Sequence, residues 1–192
     1  QLFVMRRFDR TTDGRSLGFE EMAVLMAKGA AQKYEGSYEQ VARFVSLFCS
    51  PERRLPALRQ LFDQIALSCI LGNGDAHLKN FGVLYDDSTS EDVWLSPAYD
   101  LVCTTAYIRD DSLALTLGGS KSLFASSVHL MDFARRCEVG DPRDRVCALL
   151  QAVEQGIHEH RVLLEEEPVV GAGIRQAFED FELGDGIESA GG

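Results

Sequence analysis

Along this chain, stretches in which apolar side chains recur every three or four positions alternate with short apolar runs closed by turn residues. The first kind of stretch predicts helices and the second predicts strands. Leu2 to Phe8 is apolar and β-prone, and Thr11-Thr12-Asp13-Gly14 turns the chain after it. Phe19 to Lys28 predicts a short helix with Phe19, Met22, Ala23 and Met26 on one face. Ser37-Tyr38-Glu39-Gln40 has the form of a capping box and opens a helix through Phe48, with Val41, Phe44, Val45 and Phe48 inward. Pro56 suits the first position of the next helix, whose stripe is Leu58, Leu61, Phe62, Ile65 and Cys69 and whose end is Gly72.

Strand character then takes over. Phe81 to Tyr85, the acidic run Asp86 to Asp92, and Val93-Trp94-Leu95 predict a hairpin that Pro97 stops. Leu113 to Leu117, turned by Gly118-Gly119-Ser120-Lys121, is β-compatible and suggests a second small hairpin. Helices follow over Val128–Cys137 and from Asp141-Pro142 onward, the latter with Val146, Leu149, Leu150, Val153 and Ile157 inward. Glu165-Glu166-Glu167-Pro168 breaks the pattern, a last helix runs from Ile174 to Phe181, and residues 184–192 read as a flexible tail. The expected fold class is α+β and predominantly helical, with small β-hairpins.

Composition narrows the function. With 45% hydrophobic residues, 192 residues bury a sizeable core, as one domain or as a lobe of something larger. A net charge of −11 argues against broad contact with a phosphate backbone, although Arg6, Arg7 and Arg10 cluster near the start. The five cysteines are scattered with no C-x-x-C pair, which indicates neither a zinc knuckle nor a disulfide framework and suits a reducing cytoplasm. No run reaches the roughly 18 apolar residues of a membrane span, and Gln1-Leu2-Phe3 lacks the order of a signal peptide.

The chemistry concentrates between the third predicted helix and the hairpin. Gly72-Asn73-Gly74-Asp75-Ala76-His77-Leu78-Lys79-Asn80 places an acid and, five positions on, an amide at a helix–strand junction; Ser96-Pro97-Ala98-Tyr99-Asp100-Leu101 follows the hairpin with a second acid. Asp and Asn beside Gly are ordinary turn residues, so the spacing alone is a weak signal. A polar loop fixed between a helix and a strand is nevertheless a good catalytic platform. Phosphoryl transfer needs one carboxylate to orient a hydroxyl, and an amide oxygen with another carboxylate to hold Mg²⁺. Asp75 suits the first role, and Asn80 and Asp100 suit the second. Lys79 either reaches a phosphate or faces solvent. His77 either orders the loop through backbone or contacts phosphate. His129, His158 and His160 fit no ligand spacing, the Asp86–Asp92 run reads as a solvated turn, and Gly118-Gly119 lacks the following helix a phosphate cradle requires.

Five blocks carry a resemblance. They are Phe3-Val4-Met5-Arg6-Arg7-Phe8-Asp9-Arg10, Gln32-Lys33-Tyr34-Glu35, Gly74 to Phe81, Ser96 to Leu101, and Leu113-Ala114-Leu115-Thr116-Leu117-Gly118-Gly119. On these, the chain resembles the C-terminal kinase lobe of the HipA family, the serine/threonine kinase toxins of bacterial toxin–antitoxin pairs. The order of the blocks agrees as far as about Phe124. The resemblance implies ATP and Mg²⁺ as cofactors and a hinge strand over residues 1–10. Arg6 and Phe8 would lie at its adenine-facing positions and Asp9 near the ribose. It implies a lobe over residues 11–183, with a catalytic loop at 72–81 and a metal-binding segment at 96–101. It also implies a protein substrate, for example an aminoacyl-tRNA synthetase, and a HipB-like DNA-binding antitoxin as partner.

No G-x-G-x-x-G loop and no recognisable strand lysine precedes Asp75. The resemblance places both in an N-terminal lobe outside this sequence, without which nucleotide affinity should be weak and turnover near absent. No His-Arg precedes Asp75, and Asp100 lies in Tyr-Asp-Leu instead of Asp-Phe-Gly, which departs from eukaryotic-type kinases and agrees with the HipA pattern. Two other classes compete: a catalytically inactive kinase-like binding module, and a metal-dependent phosphohydrolase using Asp75, His77 and Asp100.

Overall fold

The computed structural model describes residues 5–124 and 126–185, the last four without their side chains. Its elements in chain order are β1 (Gly18–Glu21), α1 (Met22–Leu25), α2 (Tyr38–Phe48), α3 (Pro51–Ile70), β2 (Gly82–Tyr85), β3 (Val93–Leu95), α4 (Ser126–Arg136), α5 (Pro142–Glu159), α6 (Arg161–Glu166) and α7 (Pro168–Asp185). The class is α+β and predominantly helical, as the periodicity predicts.

The twenty-residue α3 is the axis of the fold. It packs against α2, α4, α5, α7 and β3. Leu58, Leu61, Phe62, Ile65, Cys69 and Ile70 are all buried, so the predicted stripe is the core itself. Ion pairs fasten its neighbours to it. Arg145 of α5 reaches Asp63 through Nε at 2.9 Å and again through its terminal nitrogen. Arg53 forks onto Asp92 at the turn end of the hairpin with two bonds of 2.9 Å. At the start of α2 the capping box forms as read, Ser37 Oγ accepting from the Gln40 amide at 3.2 Å and Gln40 returning the bond to the Ser37 amide. Burial pushes the thiols of Cys49, Cys69 and Cys137 up to about 12, leaving them as packing groups.

The sheet differs from the expectation of two hairpins. It is one antiparallel sheet in the order β1-β2-β3. The segment Gly18–Glu21, read as the beginning of a helix, is its first strand, with Phe19 opposite Leu84, so α1 is confined to one turn. The pairing is close because glycine sits where aromatic rings cross. A Cβ at Gly18 would lie 2.0 Å from the Tyr85 ring, and one at Gly82 would lie 2.4 Å from the Phe19 ring. Leu113–Leu117 forms no strand; Thr116 and Leu117 make isolated bridges to Ser37 and Ser120.

Other boundaries move as well. In the described part of the expected hinge strand, residues 5–9 belong to no strand, and Arg10 makes one bridge to Ser16; residues 1–4 lie outside the described residues. The turn at Thr11–Gly14 closes on itself instead, with Leu17 N donating to Asp9 O at 2.9 Å. Helix α3 starts at Pro51, so Pro56 lies inside it. There the ring removes one early intrahelical bond. Helix α7 begins at Pro168 and runs to Asp185, six residues earlier and four later than the stripe indicated. Of the expected tail, residues 186–192 lie outside the described residues.

Because Phe62 is fully buried at the centre of α3, Phe62→Ala should lower unfolding free energy by about 3–5 kcal/mol, read as a reduced urea midpoint. Ser37→Ala, which removes only a cap, should cost about 1 kcal/mol.

Candidate active site

The loop after α3 is built from the helix end outward. Gly72 has φ +64, and the amides of Gly72 and Asn73 return to the carbonyls of Cys69 and Ser68 at 3.2 and 2.8 Å. This is a Schellman end, in which a glycine adopts the left-handed conformation that other residues resist. Thr104 then clamps the loop from below: its amide and hydroxyl both donate to Gly72 O at 3.1 Å, and its Oγ1 accepts from Gly74 N at 2.7 Å. Gly74 is there because a Cβ would meet Asp111 at 2.1 Å. Asn73 Oδ1 accepts the Asp75 amide at 3.0 Å, and the fully buried Tyr38 donates its hydroxyl to Ala76 O at 3.0 Å. The Leu78 amide closes onto Lys33 O at 3.1 Å. The loop is therefore held both by bonds within itself and by partners from elsewhere in the fold.

The segment 96–101 is held just as firmly. Gln60 and Gln64 of α3 both donate to Ser96 O, at 2.7 and 2.9 Å. Tyr99 donates its hydroxyl to Lys79 O at 2.6 Å, and its ring packs on Phe8 and Phe19, with centroids 5.1 and 6.0 Å away. The chain then takes φ +54 at Asp100, a left-handed position that Asp tolerates better than most residues. The outcome is a hydrogen bond from Asn80 Nδ2 to Asp100 Oδ2 at 2.9 Å across twenty positions of sequence. The two groups flank the hairpin, Asn80 just before β2 and Asp100 just after β3, and neither is carried on a strand.

Asn80 is buried, and its Oδ1 has no hydrogen-bond partner. Left unmet, such an oxygen costs about 1–3 kcal/mol. An amide oxygen beside an exposed carboxylate is a donor set that suits a hard divalent cation, which completes its shell with phosphate and water. Asn80 and Asp100 thus fit Mg²⁺. Among the described residues there is no cluster of three or more His, Cys, Asp or Glu that could hold an ion without such help.

Around Asp75 the arrangement is tight. Tyr34 donates its hydroxyl to Asp75 Oδ1 at 2.7 Å, and His77 Nε2 lies 4.0 Å from the same oxygen. Lys33 Nζ lies 2.7 Å from His77 Nε2. Burial holds His77 below its ordinary value, against the opposing pull of Asp75 and, more weakly, of Asp100. The ring is therefore neutral at pH 7, accepts from the lysine through Nε2, and forms no ion pair with Asp75. Lys79 extends to within 3.9 Å of Glu21 and is partly exposed.

At the chain's beginning, Phe8 reaches the segment 96–101 through its ring contact with Tyr99. Asp9 is ion-paired with Arg7, which holds its carboxyl below the usual range. Arg6 is exposed and makes no hydrogen bond or ion pair with the described residues. Sequence reasoning missed Lys33, Tyr34 and Thr104 as site residues. Lys33 and Tyr34 stand in a block quoted for resemblance, but nothing local reveals what they touch.

Because His77 is neutralised by burial, the unfolded chain binds more protons than the native one as pH falls below the ordinary value of 6.5. The native state should therefore lose stability through that range and retain it above. The His77 imidazole resonance should titrate with a midpoint below 6.5, and His77→Gln should flatten the decline of the urea midpoint with acid.

The sequence model of the HipA-like C-terminal domain matches residues 1–161. The chain is 31% identical over 144 residues to the protein named "Putative kinase Y4dM" of Sinorhizobium fredii, covering 73% of this chain and 34% of that protein. It is 32% identical over 112 residues to a "Putative kinase" of Haemophilus influenzae, covering 55% of this chain and 32% of that one. It thus spans about a third of the length of these curated relatives. Among solved structures it is similar to the Shewanella oneidensis HipA, HipB and operator DNA complex. There the TM-score is 0.75 at 18% identity, over 92% of this chain and 47% of the matched one. The chain belongs to the family of HipA-like C-terminal domains.

Proposed function

We propose that this chain supplies the hydroxyl-orienting and metal-binding part of an ATP- and Mg²⁺-dependent serine/threonine protein kinase of HipA type. The observation that carries the reading is the Asn80–Asp100 bond, with an unpartnered buried amide oxygen beside an exposed carboxylate. Relatives named as kinases support it.

In this reading Asp75 accepts a hydrogen bond from the substrate hydroxyl and aligns it on the γ-phosphorus; little proton removal is needed early in a loose transition state. Asn80 Oδ1 and the Asp100 carboxylate hold the cation. A bound Mg²⁺ supplies charge neutralisation on the phosphate oxygens. The partly exposed Lys79 approaches a phosphate as a point charge, its ammonium being only loosely held by Glu21. His77, neutral and buried, shapes the loop and presents an uncharged ring to the phosphates. Arg6, Phe8 and Asp9 form the nucleotide-facing edge, drawn toward the metal segment by the Phe8–Tyr99 contact. In this reading the glycine-turn loop and strand lysine are supplied by an N-terminal lobe outside this sequence.

The partners follow from the likeness to the Shewanella complex, in which HipA is found with HipB and operator DNA. A HipB-like DNA-binding antitoxin is the partner proposed here, and a protein of translation, such as an aminoacyl-tRNA synthetase, is the substrate. The net charge of −11 disfavours direct nucleic-acid contact by this chain. No helix among the described residues is long and apolar enough to cross a membrane. The free thiols suit a cytoplasmic site of action.

The test is transfer of γ-labelled phosphate from ATP to protein by the intact gene product. Asp75→Asn and Asp100→Asn should each reduce transfer by about 100-fold or more, and chelation should abolish it until Mg²⁺ is restored. Undiminished transfer by either variant refutes the site. Release of phosphate with no labelled protein selects the phosphohydrolase, and a folded wild-type protein inert toward nucleotide selects the binding module.

A further inference from the structure

A carboxylate that must align a hydroxyl has to be aimed, and Asp75 lies on a loop with its side chain 40% exposed. Left to itself, such a side chain spreads over several rotamers, and productive alignment tolerates little error. Backbone bonds fix the loop but not the carboxylate. The Asn73 side chain takes the Asp75 amide, and the His77 amide takes its carbonyl at 2.8 Å. The carboxylate has one strong partner, the Tyr34 hydroxyl at 2.7 Å on Oδ1. Oδ2 makes no hydrogen bond with the described residues and is free to accept another.

We infer that Tyr34 is a positioning residue: its phenol holds Asp75 by Oδ1 so that Oδ2 faces the incoming hydroxyl. This rests on the assignment of Asp75 given above.

Tyr34 is itself held. Its ring meets the His77 ring edge-on, with centroids 5.2 Å apart, and Lys33 Nζ sits 4.7 Å from the Tyr34 ring centroid. The same ammonium bonds His77 Nε2, while Lys33 O accepts the Leu78 amide. Lys33, Tyr34, His77 and Asp75 thus form a closed ring of contacts joining two segments 41 to 44 positions apart. A tyrosine serving as a removable plug would be expected to lie on a segment with few other ties. Tyr34 is tied through its ring, through its backbone O to Lys121 and through the adjacent lysine.

The informative variant is Tyr34→Phe in the intact gene product, since it deletes the hydroxyl and retains the ring. Expected are a fall in kcat for phosphoryl transfer of about tenfold, a KM for ATP within about twofold of wild type, and an unchanged urea midpoint. A kcat equal to wild type overturns the inference. So does an increase, which would make Tyr34 a plug. A crystal structure of the variant gives a reading independent of turnover: the Asp75 carboxylate should leave its wild-type rotamer or occupy more than one. A single unchanged rotamer refutes positioning. Absence of transfer by the wild type would remove the kinase reading, and the Asp75 conformer would still decide whether Tyr34 holds it.

Discussion

The arrangement depends on one hydrogen bond that the chain closes around a hairpin, from the Asn80 amide to the Asp100 carboxylate. A contact between groups twenty residues apart is entropically expensive unless the intervening chain is already folded. Here β2 and β3 do that folding. Their pairing is anchored on the far side by β1 and at the turn by Arg53 on Asp92. The amide that Asn80 gives to Asp100 also decides which of its atoms remains available. With Nδ2 committed, the oxygen is the free end, and that is the end a cation needs.

The rigidity behind the loop comes from buried groups. The buried Tyr38 and Gln64, joined by the half-buried Gln60, bring polar atoms to the backbone of Ala76 and Ser96. Polar groups are tolerated in a core only when such bonds are made, and once made they admit few alternative packings. Burial drives the Tyr38 phenol far above the ordinary tyrosine range, so it remains a donor under all usual conditions. The structural and chemical parts of the site are therefore distinct. Buried side chains fix backbone, and the half-exposed Asp75 and Lys79 and the exposed Asp100 are the ones left open to solvent at its surface.

Much of this was legible in the residues. The Ser37 capping box, the α3 stripe, the glycine end at Gly72 and the β2–β3 hairpin all rest on local rules, and all are found. So is the approach of Asp100 to Asn80, because hairpin signals dictate a return path. What was missed is tertiary. Gly18–Glu21 is a strand because β2 is there to pair with it, while Phe19 and Met22 alone fit a helical face equally well. The earlier start was legible too, since Ser50-Pro51-Glu52 offers a capping residue, a proline and an acid in the first turn, and Pro56 was preferred to it. Gly171 and Gly173 disguised α7, yet Gly173 stays helical and lets Ala106 approach where a Cβ would lie within 2.6 Å of its backbone. The roles of Lys33 and Tyr34 were invisible because their partners are more than forty positions away.

That close approach limits how the helix can change. Ala177 of α7 and Thr105 fill the space where a side chain at Gly72 would stand, and Ala106 fills the one beside Gly173. Enlarging Gly173 or Ala177 would therefore push on the pivot of the loop that carries Asp75, whereas the outer face of α7 can vary without reaching it.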